Sequence, residues 1–177
     1  MSAVLLPAFA AAAILLVVAG ASKITSPYMA QASLSTAGLP APLIGVRVLA
    51  LCEVAIGAAA VIEPSTATAL AAAVAYGAFC LFTVRLLRMA DEGVDCGCFG
   101  GAGSEVSRVH VMLNAAAFAV CVAAAIAPPH GPGWLFHHTP VIAATTCLGI
   151  AAIAYASFVA FTVFPRAWQS YSRGPAR

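Results

Sequence analysis

Five stretches of about twenty residues, almost empty of charge, decide what this chain can fold into; they lie at about 3–21, 42–62, 66–87, 107–127 and 141–164. A hydrocarbon core about 30 Å thick is crossed by about 20 apolar residues in helical conformation. No backbone polar group can be left unpaired there, so spanning segments are helices or closed barrels, and runs this long read as helices. Of the 177 residues, 63% are hydrophobic and 8% charged, against roughly 25% charged in a soluble domain. The expected fold is an all-α integral membrane protein: an antiparallel bundle of about five transmembrane helices over 1–165, with a short basic tail at 166–177. A formal charge of +2, spread along the chain, offers no nucleic-acid surface.

The connections refine this outline. The first run lacks the Lys or Arg that precedes a signal-peptide core, so it reads as helix one, ending near Ala21, rather than as a cleaved leader. Between Lys23 and Pro42, Ser26-Pro27 reads as a cap and first helical residue and Gly38 as a stop, which predicts a short interfacial helix. The turn at Glu63-Pro64-Ser65 is short, so the helices it joins are expected to be antiparallel neighbours. Ser104 or Ser107 can cap the fourth spanning helix. The Pro/Gly segment from Pro128 to Gly133 breaks the chain again, beside Trp134, Phe136, His137 and His138, whose rings suit a headgroup region.

Lys23, Arg47, Arg85, Arg88, Arg108, Arg166, Arg173 and Arg177 all fall at one end of such a bundle, and the other end has no Lys or Arg. The positive-inside rule then places the 89–105 loop and the C-terminus on the cytoplasmic side of the cell membrane and the N-terminus outside.

That 89–105 loop is the long polar one, and within it Asp91, Glu92 and Asp95 precede Cys96-Gly97-Cys98-Phe99-Gly100. Two cysteines one residue apart can cycle between dithiol and disulfide, or bind a soft metal with His110 as a third ligand. Gly97 supplies the backbone freedom such close sulfurs need. The nearby carboxylates raise a thiol pKa, whereas Arg88 and Arg108 lower it. Cys52, Cys80, Cys121 and Cys147 lie inside apolar runs, where a thiol behaves as a small hydrophobic group. Ser107, His110, Asn114 and Cys121 share one helical face, and such groups point inward in lipid. Tyr76, Cys80 and Thr83 form a comparable stripe on the third span. Glu53, midway along an apolar helix, is costly there unless paired; Lys23 and Arg47 enter from the same end and are its candidate partners.

These residues resemble the MauE branch of the DoxX-like membrane proteins. The likeness runs from the Ala-Gly-Ala-Ser-Lys23 end of helix one, through Gly38-Leu39-Pro40 and Glu53-Val-Ala-Ile-Gly57, to the Cys96-Gly-Cys98-Phe99-Gly100 string and Asn114. It implies a helical membrane protein working with a thioredoxin-like partner to mature a disulfide-containing extracytoplasmic protein, as the family's namesake does in methylamine utilisation. Carried over, Cys96 and Cys98 are the redox pair and Lys23, Glu53 and Asn114 supporting positions. Leu113 departs from the pattern, which carries Arg before the Asn, and Arg108 or His110 is then a substitute.

Three functions follow as expectations. The first is a thiol–disulfide relay component, whose second redox centre is a membrane quinone or another thiol pool. With the loop on the cytoplasmic side, a thiol route outward would have to run through Cys52, Cys80, Cys121 or Cys147. The second is a scaffold or chaperone subunit in which the cysteines are incidental. The third is a soft-metal binder or transporter using Cys96, Cys98 and His110.

Overall fold

The computed structural model describes residues 2–89, 94–99, 105–131, 133 and 139–164. Six α-helices follow one another among them: α1 Ser2–Thr25, α2 Pro27–Thr36, α3 Leu43–Ile62, α4 Thr66–Met89, α5 Arg108–Ile126 and α6 Pro140–Thr162. Five of these are long and apolar enough to cross a membrane, and α2 is the short one. The protein is an all-α multi-pass membrane bundle. Large apolar residues stand exposed on the spanning helices, Val18, Leu51, Leu81, Met112 and Leu148 among them, which is the surface a chain presents when lipid is its solvent. The carboxylates Asp91 and Glu92, the cap candidate Ser104, the aromatic group at 134–138 and the tail at 166–177 lie outside the described residues.

Local chemistry sets the element ends. Helix α1 runs a turn beyond the expected stop at Ala21, to Thr25. Its polar end stays helical because Ser22 and Thr25 return their hydroxyl protons to carbonyls of the preceding turn, Ser22 Oγ to Val18 O at 2.8 Å and Thr25 Oγ1 to Ser22 O at 3.0 Å. Lys23 therefore sits on a rigid helix rather than in a loop. Helix α2 starts with Pro27 after Ser26 and stops at Gly38, where φ is +67°. Gly38 N–H bonds to Ser35 O at 2.9 Å and Leu39 N–H to Leu34 O at 3.0 Å, the Schellman pattern that a left-handed glycine permits. Helix α4 begins with a reciprocal cap: Ser65 N–H donates to Thr68 Oγ1 and Thr68 N–H to Ser65 Oγ.

Helix α1 is the central element and packs most extensively on α3, while α4 packs on α5; α6 leans mainly on α1. The short turn after α3 does make α3 and α4 neighbours, but their mutual contact is much smaller than that of the α1–α3 pair. Glycine explains the α1–α3 closeness. A Cβ on Gly20 would sit 2.6 Å from Ala50 O, and one on Gly57 would sit 2.6 Å from Ala13 O. Each glycine lies seven residues from the alanine that receives the other, so two small-residue crossings let antiparallel backbones touch.

Between α1, α3, α4 and α5, the half of the bundle nearer the Glu63 turn is closed by a core of Phe9, Ala12, Ala13, Leu16, Ala60, Ala69, Ala72, Ala73, Cys121 and Ala124. Tyr76 caps it by donating its hydroxyl to Ala12 O at 2.6 Å. The other half is built differently.

Candidate functional site: a dithiol over a buried ion pair

At the end of the bundle that carries α2, residues 94–95 pair with residues 105–106. Asp95 and Glu105 form an antiparallel bridge, and Val106 N–H donates to Val94 O at 2.9 Å. Asp95 and Gly97 lie against α2. Gly97 has φ +70°, a conformation that costs little only for glycine, and a Cβ there would collide with Ser33 Oγ and press on Ala30 and Met29. The Ser33 hydroxyl lies 2.9 Å from both Asp95 O and Met29 O. Gly97 thus serves two purposes: it turns the Cys-x-Cys segment and lets it seat on α2.

The result is that Cys96 Sγ and Cys98 Sγ stand 2.6 Å apart. Cys96 is buried and Cys98 less so. The hydrogen bond between the sulfurs pushes the Cys96 thiol well above the ordinary thiol range, with burial adding to the rise. The same bond holds Cys98 below that range, and the nearby Lys23 ammonium adds to the lowering against the cost of burial. The two thiols are thus shifted in opposite directions, and the lower of two such pKa values marks the better nucleophile. The cation beside the pair is Lys23. Arg88 and Arg108, the sequence candidates for that role, are both exposed.

Lys23 joins the loop to the membrane interior. Its Nζ donates to Glu53 Oε2 at 2.7 Å and to Cys98 O at 2.9 Å, and it lies 5.3 Å from the centre of the Phe79 ring. Lys23 and Glu53 are 5% and 1% exposed, so neither charge is stabilised by water and each depends on the other. Glu53 Oε1 has no hydrogen-bond partner among the described residues. Of the two cations that could have answered Glu53, Arg47 is exposed to the surroundings, away from the buried face formed by Val46, Ala50, Glu53 and Gly57.

Helix α5 brings its polar face inward. His110 and Asn114 are buried; Asn114 Nδ2 donates to His110 O at 2.9 Å and reaches Thr83 Oγ1 at 3.4 Å, tying α5 to α4. His110 turns Nδ1 to Ser107 Oγ at 3.1 Å and packs its ring 5.8 Å from Phe161. No three of His, Cys, Asp and Glu gather as a metal-ligand group among the described residues. On the third span, Tyr76 and Thr83 turn inward, while Cys80 points to Val111 O at 3.8 Å. Cys52 and Cys147 are exposed on the outer face and Cys121 is in the alanine core.

Three supports escaped the sequence reading: Ser33 under the loop, Phe79 under Lys23, and α6. Phe99 packs edge-on to Phe158 at 5.5 Å and against Phe161 at 5.3 Å, and Leu113 fills the same cluster beside Cys98. Leu113 is thus a packing residue here. Contacts of this kind join segments far apart in the chain and leave no local signal.

Fold and site together define a class: a small helical membrane protein that holds a vicinal dithiol at one end of its bundle, over a buried lysine–glutamate pair. The family model described as methylamine utilisation protein MauE matches residues 1–127, and the chain belongs to that family. The matched segment contains α1 to α5 and so the dithiol, Lys23, Glu53 and Asn114. No curated protein and no solved structure matches the chain.

Proposed function

We propose that this protein is the membrane component of a thiol–disulfide relay that supports maturation of a disulfide-containing extracytoplasmic protein, of the kind methylamine utilisation requires, in exchange with a thioredoxin-like partner. The observation that carries the reading is the pair Cys96 and Cys98, 2.6 Å apart on a loop buttressed by α2 and by Lys23. Exchange proceeds by thiolate attack on a disulfide sulfur. Cys98, the less buried residue of the two and the one whose pKa the sulfur–sulfur hydrogen bond lowers, is the attacking or attacked partner-facing residue, and Cys96 resolves the mixed disulfide. Two electrons pass between the pair and the partner in each cycle, in either direction.

The clustering of Lys and Arg at the dithiol end supports a cytoplasmic placement of that end. A reporter fused after Arg177 tests it, and activity outside the cell membrane would reverse the assignment.

The central test is capture. In a Cys96→Ser variant the resolving thiol is gone, so a disulfide to the partner through Cys98 accumulates and is identified by mass spectrometry after acid quenching. A Cys96→Ser/Cys98→Ser double variant that still supports maturation would replace the relay by a scaffold role.

A further inference from the structure

The half of the bundle beneath the dithiol contains a cavity of about 240 Å³. One end of it is made by Cys96, Gly97, Cys98, Phe99, Lys23 and Asn114, and the walls by Leu15, Leu16, Ala19, Phe79, Phe82 and Phe161. Leu39 and Leu49 line it too, and both are more than a third exposed on the outer surface of the bundle. Ala78 of α4 also lines it and is exposed. The mouth therefore opens between α3 and α4, the loosely packed neighbours, onto the lipid-facing surface. It leads from lipid to sulfur.

From this geometry we infer that the cavity binds the head group of a lipid-soluble quinone, which takes electrons from the Cys96–Cys98 dithiol. The inference rests on the relay reading and deepens it by naming the class of acceptor. Three features select this occupant. An apolar cavity of roughly 150 Å³ holds a benzene molecule, so about 240 Å³ admits one substituted ring, and a prenyl tail leaves through a mouth that already faces lipid. Lys23 offers the ring oxygen a donor: an ammonium has three N–H groups, and two of them go to Glu53 Oε2 and Cys98 O. The chemistry of the dithiol also demands a two-electron, two-proton acceptor. As the S–S bond forms, Cys96 and Cys98 together give up two electrons and two protons, and the quinone gains both to become the quinol. When one of the two sulfurs starts as thiolate, the pair supplies one proton and the second is taken from the solvent.

The test uses the whole protein, reduced, in detergent micelles, with decylubiquinone as the probe. Every ring carbon of this quinone is substituted, so it has no ring C–H at which a thiol can add. One quinone reduced for each two thiols lost is expected, with Cys96 and Cys98 the pair found oxidised. Leu49→Trp and Ala78→Trp, made separately, narrow the mouth and lower the rate with quinone relative to the rate with oxidised glutathione by about tenfold or more. Leu148→Trp, on the outer face of α6, keeps the wild-type ratio. Oxidation of the pair by glutathione disulfide but not by decylubiquinone overturns the quinone site and leaves the relay standing, as does a ratio unchanged in both mouth variants. A pair that neither reagent oxidises overturns the quinone site and the relay together.

Discussion

The two halves of this bundle use the same four helices, α1, α3, α4 and α5, to opposite ends. Toward the Glu63 turn the space between them is filled by small apolar side chains, with Ala12, Ala13, Ala60, Ala69 and Ala124 letting backbones approach until little is left to fill. Toward α2 the corresponding space holds an ammonium, a carboxylate, two thiols, an asparagine and a cavity. In lipid, helix association depends on close packing and on satisfied polar groups rather than on excluding water. The comparison shows how a chain so poor in charge can afford a polar site: the alanine half fixes the helices, and the polar half exploits the positions thus fixed.

The largest effect expected from breaking the polar half is chemical. Cys98→Ser removes the partner-facing sulfur and with it all exchange, whereas the same change at Cys52 or Cys147, on the outer face, leaves exchange intact. Stopped-flow exchange with a thioredoxin-like protein measures both. Equal losses at Cys98 and Cys52 would mean that the loop pair has no special place.

Next in size is the ion pair. Lys23→Met leaves Glu53 buried and unanswered and is expected to lower stability by about 3–5 kcal/mol. Joining it to Glu53→Gln recovers much of that loss, since no charge is then stranded. Unfolding in mixed detergent measures the single and double variants. An additive double variant would show that Lys23 and Glu53 do not depend on each other.

Against this, the alanine half is tested by size alone. Gly57→Ala pushes a methyl to within 2.6 Å of Ala13 O, and overpacking of this kind costs about 1–3 kcal/mol. Gly149→Ala on α6 meets nothing within 4 Å and is expected to cost nothing. The contrast between them is the measurement.

How much of this was legible beforehand follows the same division. The five spans are written in composition, because lipid imposes a length and an apolarity that no local contact can alter. The inward face of α5 is likewise written in its period. The partner of Glu53 was half legible. Arg47 is six residues earlier on the same helix, about 120° around it, so the buried face containing Val46, Ala50 and Glu53 excludes it; Lys23 remained, provided that α1 continued past Ala21. Helix pairing was not legible from loop length, because the α1–α3 contact is set by Gly20 and Gly57 meeting alanines on the other helix. Nor was the seat of the dithiol: Ser33 reaches Asp95 across 62 residues, and no local pattern announces that.

A smaller effect sharpens the electrostatics of the pair. The hydrogen bond from Cys96 favours the charged form of Cys98 and so lowers its pKa. The alkylation rate of Cys98 by iodoacetamide, followed against pH, is therefore expected to reach half its plateau at a lower pH than that of an ordinary thiol. Cys96→Ala removes the donor, and the midpoint moves upward. A midpoint that stays in place would assign the lowering to Lys23 alone.

The smallest effect is expected where the polar half rests on α2. Ser33 shares one hydroxyl proton between Asp95 O and Met29 O, both at 2.9 Å. Since Met29 O belongs to the helix and can keep its backbone partner, Ser33→Ala costs the loop a single hydrogen bond, worth about 0.5–1.5 kcal/mol. Global unfolding barely registers such a loss. Hydrogen exchange does, because the 94–99 segment opens locally with a free energy below that of the bundle, and its amides are expected to exchange faster by a factor of about 2–10 while those of the alanine half are unchanged. Faster exchange throughout both halves would show instead that α2 supports the whole bundle, and that the division between a fixed half and a working half is drawn in the wrong place.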